Sequence, residues 1–595
     1  MNQLITRTRL DPNTIWQARK RSKARNELEY DTVNEEGETI KDPQETLQHI
    51  AKYFSDLYQA RPGLPEYEHY TKRIAETIKH ITLEYQKQPK RTEQISDKEM
   101  NQAIKRLKRK KSVGPDEIPN EIFIEADNQT KKILKEVITK VHNTEEIPES
   151  WLEGHIKRLY KGKGMKGKCS NERGITLASN VGKVYERILN ERIKEKVTIT
   201  EAQGGGITGN ATVDHLIALK QTIKEIRKRG KTAYVVFLDV QKAYDKAWLD
   251  AILYTMHKNG LEGKNLEMMR KMNSNLKARI QTKYGLTEEI EIKDSIRQGG
   301  VLSVIEYATL MDEITKELRR RNLGITLNNG AKLEDLLWMD DVALIHEDLG
   351  EMQRMLDATI HVAQINHVEF GIPKCKVVKN GPGKKPQLKM NGQILEEVPN
   401  YKYLGDMTNS KGNLEAQIKE IKKKTAAATQ ELLAETGNKE FKGMKMKAIW
   451  LLVETVIIPI ITYGAETWEP TKAEMKEIEI IFIKCLKTIL CLPQTTPTAI
   501  ILAETGFTPI EQYMNTKKLM HANRILTKKK PGLVNKVVGG NSMWREEIRK
   551  LQEEYNVGDE ELTGKKQKLK RKIREVNKEK FRRNIIEEAE KKIQS

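Results

Sequence analysis

"LLWMDDVALI", residues 336–345, places Asp340 and Asp341 side by side inside an otherwise apolar decapeptide. Two adjacent like charges flanked by apolar residues repel one another, and desolvation raises the pKa of at least one of them unless a cation compensates. Its two short arms suit a β-hairpin with the carboxylates at the tip. That pattern is also common in ordinary solvated turns. The decapeptide therefore needs a partner before it means chemistry.

A second acidic residue ends "TAYVVFLDV" (232–240), a β-branched and aromatic run without helical period. The run predicts a buried strand with Asp239 at its end, where one side chain can stand at a sheet edge. Alternatively Asp239 is a helix N-cap, although Asp245 is better placed for that task. "AWLDAILYTMHKNG" follows with a helical period that stops at Gly260. A hard divalent ion such as Mg²⁺ prefers oxygen donors and commonly uses one or two protein carboxylates. Asp239, Asp340 and Asp341 could hold two such ions about 3.5–4 Å apart.

Lys and Arg number 105 against 84 Asp and Glu, a formal charge of +21, which points to a polyanionic partner, nucleic acid before a membrane surface. The 595 residues allow several domains, and 38% hydrophobic content excludes a disordered chain. Cys169, Cys375, Cys485 and Cys491 have no zinc-finger spacing, and "MNQLITRTRLDPNTIW" has no signal-peptide core. Both suggest a reduced intracellular protein. "AIWLLVETVIIPIITYGA" (448–465) is interrupted by Glu454, Thr455 and Pro459 and predicts a buried helix pair or helix-turn. Residues 1–110 predict weakly specified helices, with Leu47, Ile50, Tyr53, Phe54 and Leu57 on one face. From 411 onward the pattern is mostly helical and closes in a charged tail.

The order "VVFLDVQKAYDKAW", "IRQGGVLS", "WMDDVALI" resembles the successive palm motifs of reverse transcriptases from non-LTR retrotransposons of the LINE or jockey-like type. "KKSVGPDEIPNEIF" and "NERGITLASNVGKVYERILNERI" upstream, and "FGIPKCKVV", "YKYLG" and "ITYGAETWEPTKAEMKEIE" downstream, extend the resemblance over roughly 105–510. It implies an α+β right-hand polymerase: a helical connecting segment (1–104), fingers and an antiparallel palm sheet (105–410), a helical thumb (411–510) and a basic helical C-terminal region (511–595). With only about 110 residues before the fingers, no endonuclease is expected.

By the same resemblance, Asp239, Asp340 and Asp341 form the catalytic, metal-binding triad for two Mg²⁺ ions. Arg173, Tyr244, Gln298 and Gly299 contact the nucleotide, Tyr244 as a gate against a ribose 2′-hydroxyl. The other reading of Tyr244 is a core tyrosine on the helix start. Lys374 or Lys376 corresponds to a late-palm general acid, and Lys157, Arg158 and Lys161 are companions of Arg173 or a solvated basic face. The implied partners are an RNA template, a DNA primer and deoxynucleoside triphosphates, with no membrane, in a nuclear and cytoplasmic protein. The implied reaction is RNA-directed DNA synthesis, with a catalytically decayed nucleic-acid-binding protein as the alternative.

Three departures stand out. Val304 occupies the position of a helix-start proline, and Trp338 replaces a tyrosine. "EAQGGGITGNATVDHL" (201–216) lacks the phenylalanine and both arginines of the matching segment, which puts a template contact there in doubt.

Overall fold

A computed structural model describes residues 30–60, 63–437, 446–528, 531–539 and 542–593. The N-terminal stretch without a signal-peptide core lies outside them. In chain order the principal elements are α1 (Pro43–Leu57), α2 (Asp97–Lys105), β1 (Glu153–Tyr160), β2 (Glu172–Ala178), α3 (Asn180–Lys196), α4 (Thr212–Lys228) and β3 (Ala233–Asp239). There follow α5 (Leu249–Lys258), β4 (Leu276–Thr282), α6 (Ser303–Arg320), β5 (Leu336–Trp338), β6 (Asp341–His346), α7 (Leu349–Ile365) and β7 (Lys376–Asn380). The last are β8 (Asn400–Tyr403), β9 (Asp406–Asn409), α8 (Glu415–Gly437), α9 (Lys472–Ile489), α10 (Ile510–Leu526) and α11 (Lys566–Ile593). The architecture is mixed α and β.

One sheet has the order Glu396–Glu397, β7, β3, β6, β5, with β3 antiparallel to both neighbours. All six residues of β3 before Asp239 are buried, which explains the continuous apolar run: both faces of this strand are covered. Tyr234, Val236 and Leu238 face a core shared with α5, α6 and α7, whereas Ala233, Val235 and Phe237 face Leu216, Leu219 and Ile223 of α4. The strand is thereby fixed from both sides, and Asp239 emerges where the cover ends.

The second sheet pairs β1 antiparallel to β2 and parallel to β4. Helix α1 starts at Pro43, with the Asp42 side chain accepting from the Glu45 amide at 2.7 Å. It lays Ile50 and Phe54 on this sheet beside Ile156 and Ile280. The one-face reading of that helix holds.

The apolar stretch around Pro459 is the helix-turn of the two readings, not the helix pair: Met446–Leu452, a π turn at Val453–Ile457, then Ile458–Ile461, followed by a turn at 462–464. Proline has no N–H to continue the ladder, and the wider turn before it absorbs the mismatch, with the Ile458 amide donating five residues back to Val453. Helix α9 opens on a capping box between Thr471 and Glu474. Among the described residues no helix is long and apolar enough to cross a membrane.

The hairpin β8–β9 joins these regions through Asp406, which is fully buried. Its carboxylate stands 2.5 Å from Lys220 Nζ on α4 and accepts from Trp468 Nε1 at 2.8 Å.

Candidate active site

Strand β3 ends at Asp239 and β6 begins at Asp341, and the antiparallel register sets these two residues directly opposite each other. Directly opposed Cβ atoms lie about 4.5–5.5 Å apart. Trp338 also pairs with Asp341, so the hairpin loop is Met339 and Asp340 alone. Asp340 therefore stands next to the Asp239–Asp341 pair. The hairpin expected from the sequence is present, with Asp341 already inside the strand.

Burial raises the Asp340 carboxyl above its ordinary value, and Asp239 adds to the rise while Arg173 and Lys374 oppose it. Asp341 is pushed up to about 6 by burial, then by Asp340 and Asp239. The protein gathers like charge here and only partly offsets it.

Lys374, at the end of the short turn Ile372–Lys374, places Nζ 2.9 Å from Asp239 Oδ2. Lys376 instead pairs with Glu396 at 2.5 Å. Of the two lysines only Lys374 meets the carboxylates. Arg173 is exposed on β2, and its field reaches Asp340. Arg158 proves to be neither a companion nor part of a solvated face, because it is buried and paired with Glu172 at 3.2 Å. Lys161 is tethered to the Ser170 carbonyl at 2.9 Å.

Tyr244 lies in the turns between β3 and α5, not on a helix, and stacks on Tyr307 with centroids 5.1 Å apart. Burial, then the charge of Asp340, pushes its phenol up to about 12. The Tyr244 carbonyl accepts from the Ile296 amide at 3.1 Å, two residues before Gln298. The Gln298 carbonyl accepts from the Thr176 amide at 2.9 Å, which lays the loop on β2. Gly299 has φ +114°, and a Cβ there would approach the Thr176 carbonyl at 3.1 Å. A side chain is excluded at that position. Asp239, Asp340, Asp341, Arg173 and Tyr244 thus share one site, with Gln298 and Gly299 on its β2 flank.

Sequence reasoning missed the support behind the hairpin. Met339 has φ +58°, a sign usual for glycine or asparagine in two-residue hairpins and costly for a bulky residue. Residues 202–206 hold it there. The Leu337 amide donates to the Ala202 carbonyl at 3.0 Å, and the Gly204 amide returns to the Leu337 carbonyl at 2.8 Å. Buried Gln203 accepts through Oε1 from the Met339 amide at 3.0 Å and from the Gly205 amide at 2.9 Å. A Cβ at Gly205 would stand 2.6 Å from the Met339 nitrogen, and one at Gly204 would stand 2.7 Å from Trp338 Cε3. His215 packs edge-on to Trp338 at 5.3 Å, which gives the aromatic a structural role without a hydroxyl. The only available signal was the triple glycine itself.

Three carboxylates, two of them raised by burial and mutual repulsion, make a hard-oxygen set whose excess negative charge suits Mg²⁺. Among the described residues no three His, Cys, Asp or Glu side chains are gathered closely enough to hold an ion as they stand. The side chains fit the ion by the chemistry of their oxygen donors.

The family model "Reverse transcriptase (RNA-dependent DNA polymerase)" matches residues 161–407. The "RNA-directed DNA polymerase from mobile element jockey" of Drosophila melanogaster is 23% identical over 67% of this chain and 44% of its own. A "Retrovirus-related Pol polyprotein from type-1 retrotransposable element R2" of Nasonia vitripennis is 24% identical over 73% of this chain and 41% of its own. The "Probable RNA-directed DNA polymerase from transposon BS" of Drosophila melanogaster is 20% identical over 72% of this chain and 48% of its own. The chain therefore spans less than half the length of these relatives. The likeness among solved structures is weaker: apo telomerase from Candida tropicalis, truncated from its C-terminal domain, aligns with 44% of this chain and 54% of its own at 12% identity and TM-score 0.32. The chain carries a reverse transcriptase domain and is a distant homologue, over most of its length, of the reverse transcriptases of non-LTR retrotransposons.

Proposed function

We propose that the chain is an RNA-directed DNA polymerase that extends a DNA 3′ end on an RNA template with deoxynucleoside triphosphates. The observation that carries this reading is the register of Asp239 against Asp341, with Asp340 in the adjoining loop. Asp239, Asp340 and Asp341 are the residues that would hold two Mg²⁺ ions. Bound there, such ions activate the attacking hydroxyl and stabilise the leaving pyrophosphate.

The remaining roles belong to the side chains around the triad. Arg173 offers a guanidinium to the triphosphate, a charge-assisted contact. The Lys374 ammonium, held at Asp239, is the proton donor for the departing pyrophosphate. Tyr244, fixed by its stack on Tyr307, crowds the 2′-position of the sugar. Gln298 and Gly299 form a bare ledge for the nascent base pair. In right-hand terms, the β3–β6 sheet is the palm, the β1–β2 region the fingers and the helices after 411 the thumb.

Primer extension on an RNA template with Mg²⁺ tests the reading. Asp340→Ala is expected to abolish detectable extension, a loss of at least about a hundredfold for removal of a preorganised charge at the reacting centre, while RNA binding persists. A variant that extends at the wild-type rate rejects the metal assignment. A wild-type protein that binds RNA and incorporates nothing establishes the alternative, a decayed binding protein.

A further inference from the structure

A cavity of about 370 Å³ opens beside the Gln298–Gly300 loop, within the range of ligand sites (about 300–1,000 Å³). Arg106, Arg187 and Lys194 line it together with Val304 and Ile305. A Cβ at Gly206, another lining residue, would lie 2.2 Å from Val304 Cγ1 and 3.5 Å from Met339 Sδ. One glycine therefore separates this cavity from the hairpin that carries Asp340.

The charges in the cavity are unbalanced. Arg187, Glu191 and Lys194 recur at helical spacing on one face of α3, and Arg106 caps the C-terminus of α2. Glu191 is engaged by Arg106 at 2.6 Å and by Lys194 at 3.1 Å. Glu186, the neighbour of Arg187, is committed elsewhere, accepting from the Val301 amide at 2.7 Å. Among the described residues Arg187 makes no ion pair, and its Nε is buried without a hydrogen-bond partner. Burial disfavours its charge and outweighs the favourable field of Glu186, while Arg106 adds a smaller like-charge repulsion. A guanidinium left unpaired beside another cation costs stability. An anion in the cavity removes both costs.

We propose that Arg187, with Arg106 and Lys194, binds the phosphodiester backbone of the RNA strand next to the catalytic hairpin. The inference rests on the polymerase reading for the identity of that strand. The guanidiniums supply planar donors to phosphate oxygens, Val304 and Ile305 supply apolar contact for a sugar or base, and Gly206, Gly299 and Gly300 leave the strand room to approach. The segment 201–216 contributes Gly206 and Ile207 to the lining and contains no Lys or Arg. All positive charge in the cavity therefore comes from α2 and α3.

The experiment is equilibrium binding of a fluorescent single-stranded RNA dodecamer across a KCl series, without nucleotides, in the Asp340→Asn background. Arg187→Ala is expected to weaken binding about tenfold at low salt and to reduce the slope of log K against log[KCl] by about 0.7, one phosphate contact on a single strand. Arg187→Lys retains the slope. Lys194→Glu, at an exposed position, is expected to weaken binding in the same direction and decides the matter if Arg187→Ala fails to fold. Wild-type slopes in both charge-removing variants overturn the proposal. So does a variant that loses inorganic pyrophosphate binding while RNA binding is unchanged, because the cavity then serves a small anion. Because no step of synthesis is measured, a polymerase that proves inactive leaves this outcome independently readable.

Discussion

Strand β3 and the β5–β6 hairpin bring their carboxylates to one point by opposite means. Apolar side chains on two faces hold β3, so its placement depends on buried volume. The hairpin tip is held by main-chain hydrogen bonds, by Gln203 and by the missing side chains of Gly204 and Gly205. The first kind of support spreads its energy over many contacts and degrades gradually. The second depends on a few atoms in the right place, and a single added methyl group disrupts it.

Two substitutions test that contrast directly. Gly205→Ala forces a Cβ toward the Met339 nitrogen, which is backbone and cannot rotate away. On the proposed polymerase reading, a displacement of the hairpin carboxylates by about 1 Å costs about a hundredfold in rate, so extension is expected to fall by that order while circular dichroism and melting change little. Equal activity in Gly205→Ala would show that the hairpin does not need this support. Val236→Ala removes two methyl groups from a fully buried position on β3. Denaturation is expected to show a loss of about 2 kcal/mol, with turnover per folded molecule retained. A large fall in turnover would show that β3 is as exacting as the hairpin.

A third substitution changes a slope rather than a level. Glu306 on α6 is fully buried, and burial, assisted by Glu186 and opposed by an Asn273 hydrogen bond and by Arg297, pushes its carboxyl up to about 8. The folded chain therefore keeps a proton that the unfolded chain releases near pH 4.3. Stability contributed by this group is full below that pH and declines as pH rises toward 8, by at most about 1.4 kcal/mol per unit. Glu306→Gln, a neutral mimic of the protonated acid, is expected to flatten the decline when denaturation is measured at pH 5, 7 and 9. An unchanged slope would show that Glu306 is ionised in the fold.

The same contrast explains what the sequence disclosed. Central strand β3 was legible because burial on both faces writes itself into every residue from Ala233 to Leu238. The hairpin was legible from two apolar arms around two acids. The support behind it was not, because glycine leaves no hydropathy pattern and Gln203 meets Met339 across 136 positions of chain. Segment 201–216 looked weakened when judged by its missing arginines. In the fold its glycines back the hairpin that carries Asp340 and leave charge to others. Arg187 was equally hidden, one basic residue on an amphipathic helix until its lack of a partner became visible. Pro459 did not split the stretch into a helix pair, since a π turn carries the helix past it.

Asp406 has a consequence for how far this chain can be divided. It is reached from Lys220 and from Trp468, so one buried anion is shared by segments nearly 250 residues apart. A fragment ending after β9 would keep Asp406 and Lys220 while losing the indole donor and its cover, exposing a charge pair built for a sealed interior. Excision or recombination at that seam would yield a less stable piece, and the helices after 411 have to travel with the sheet they close.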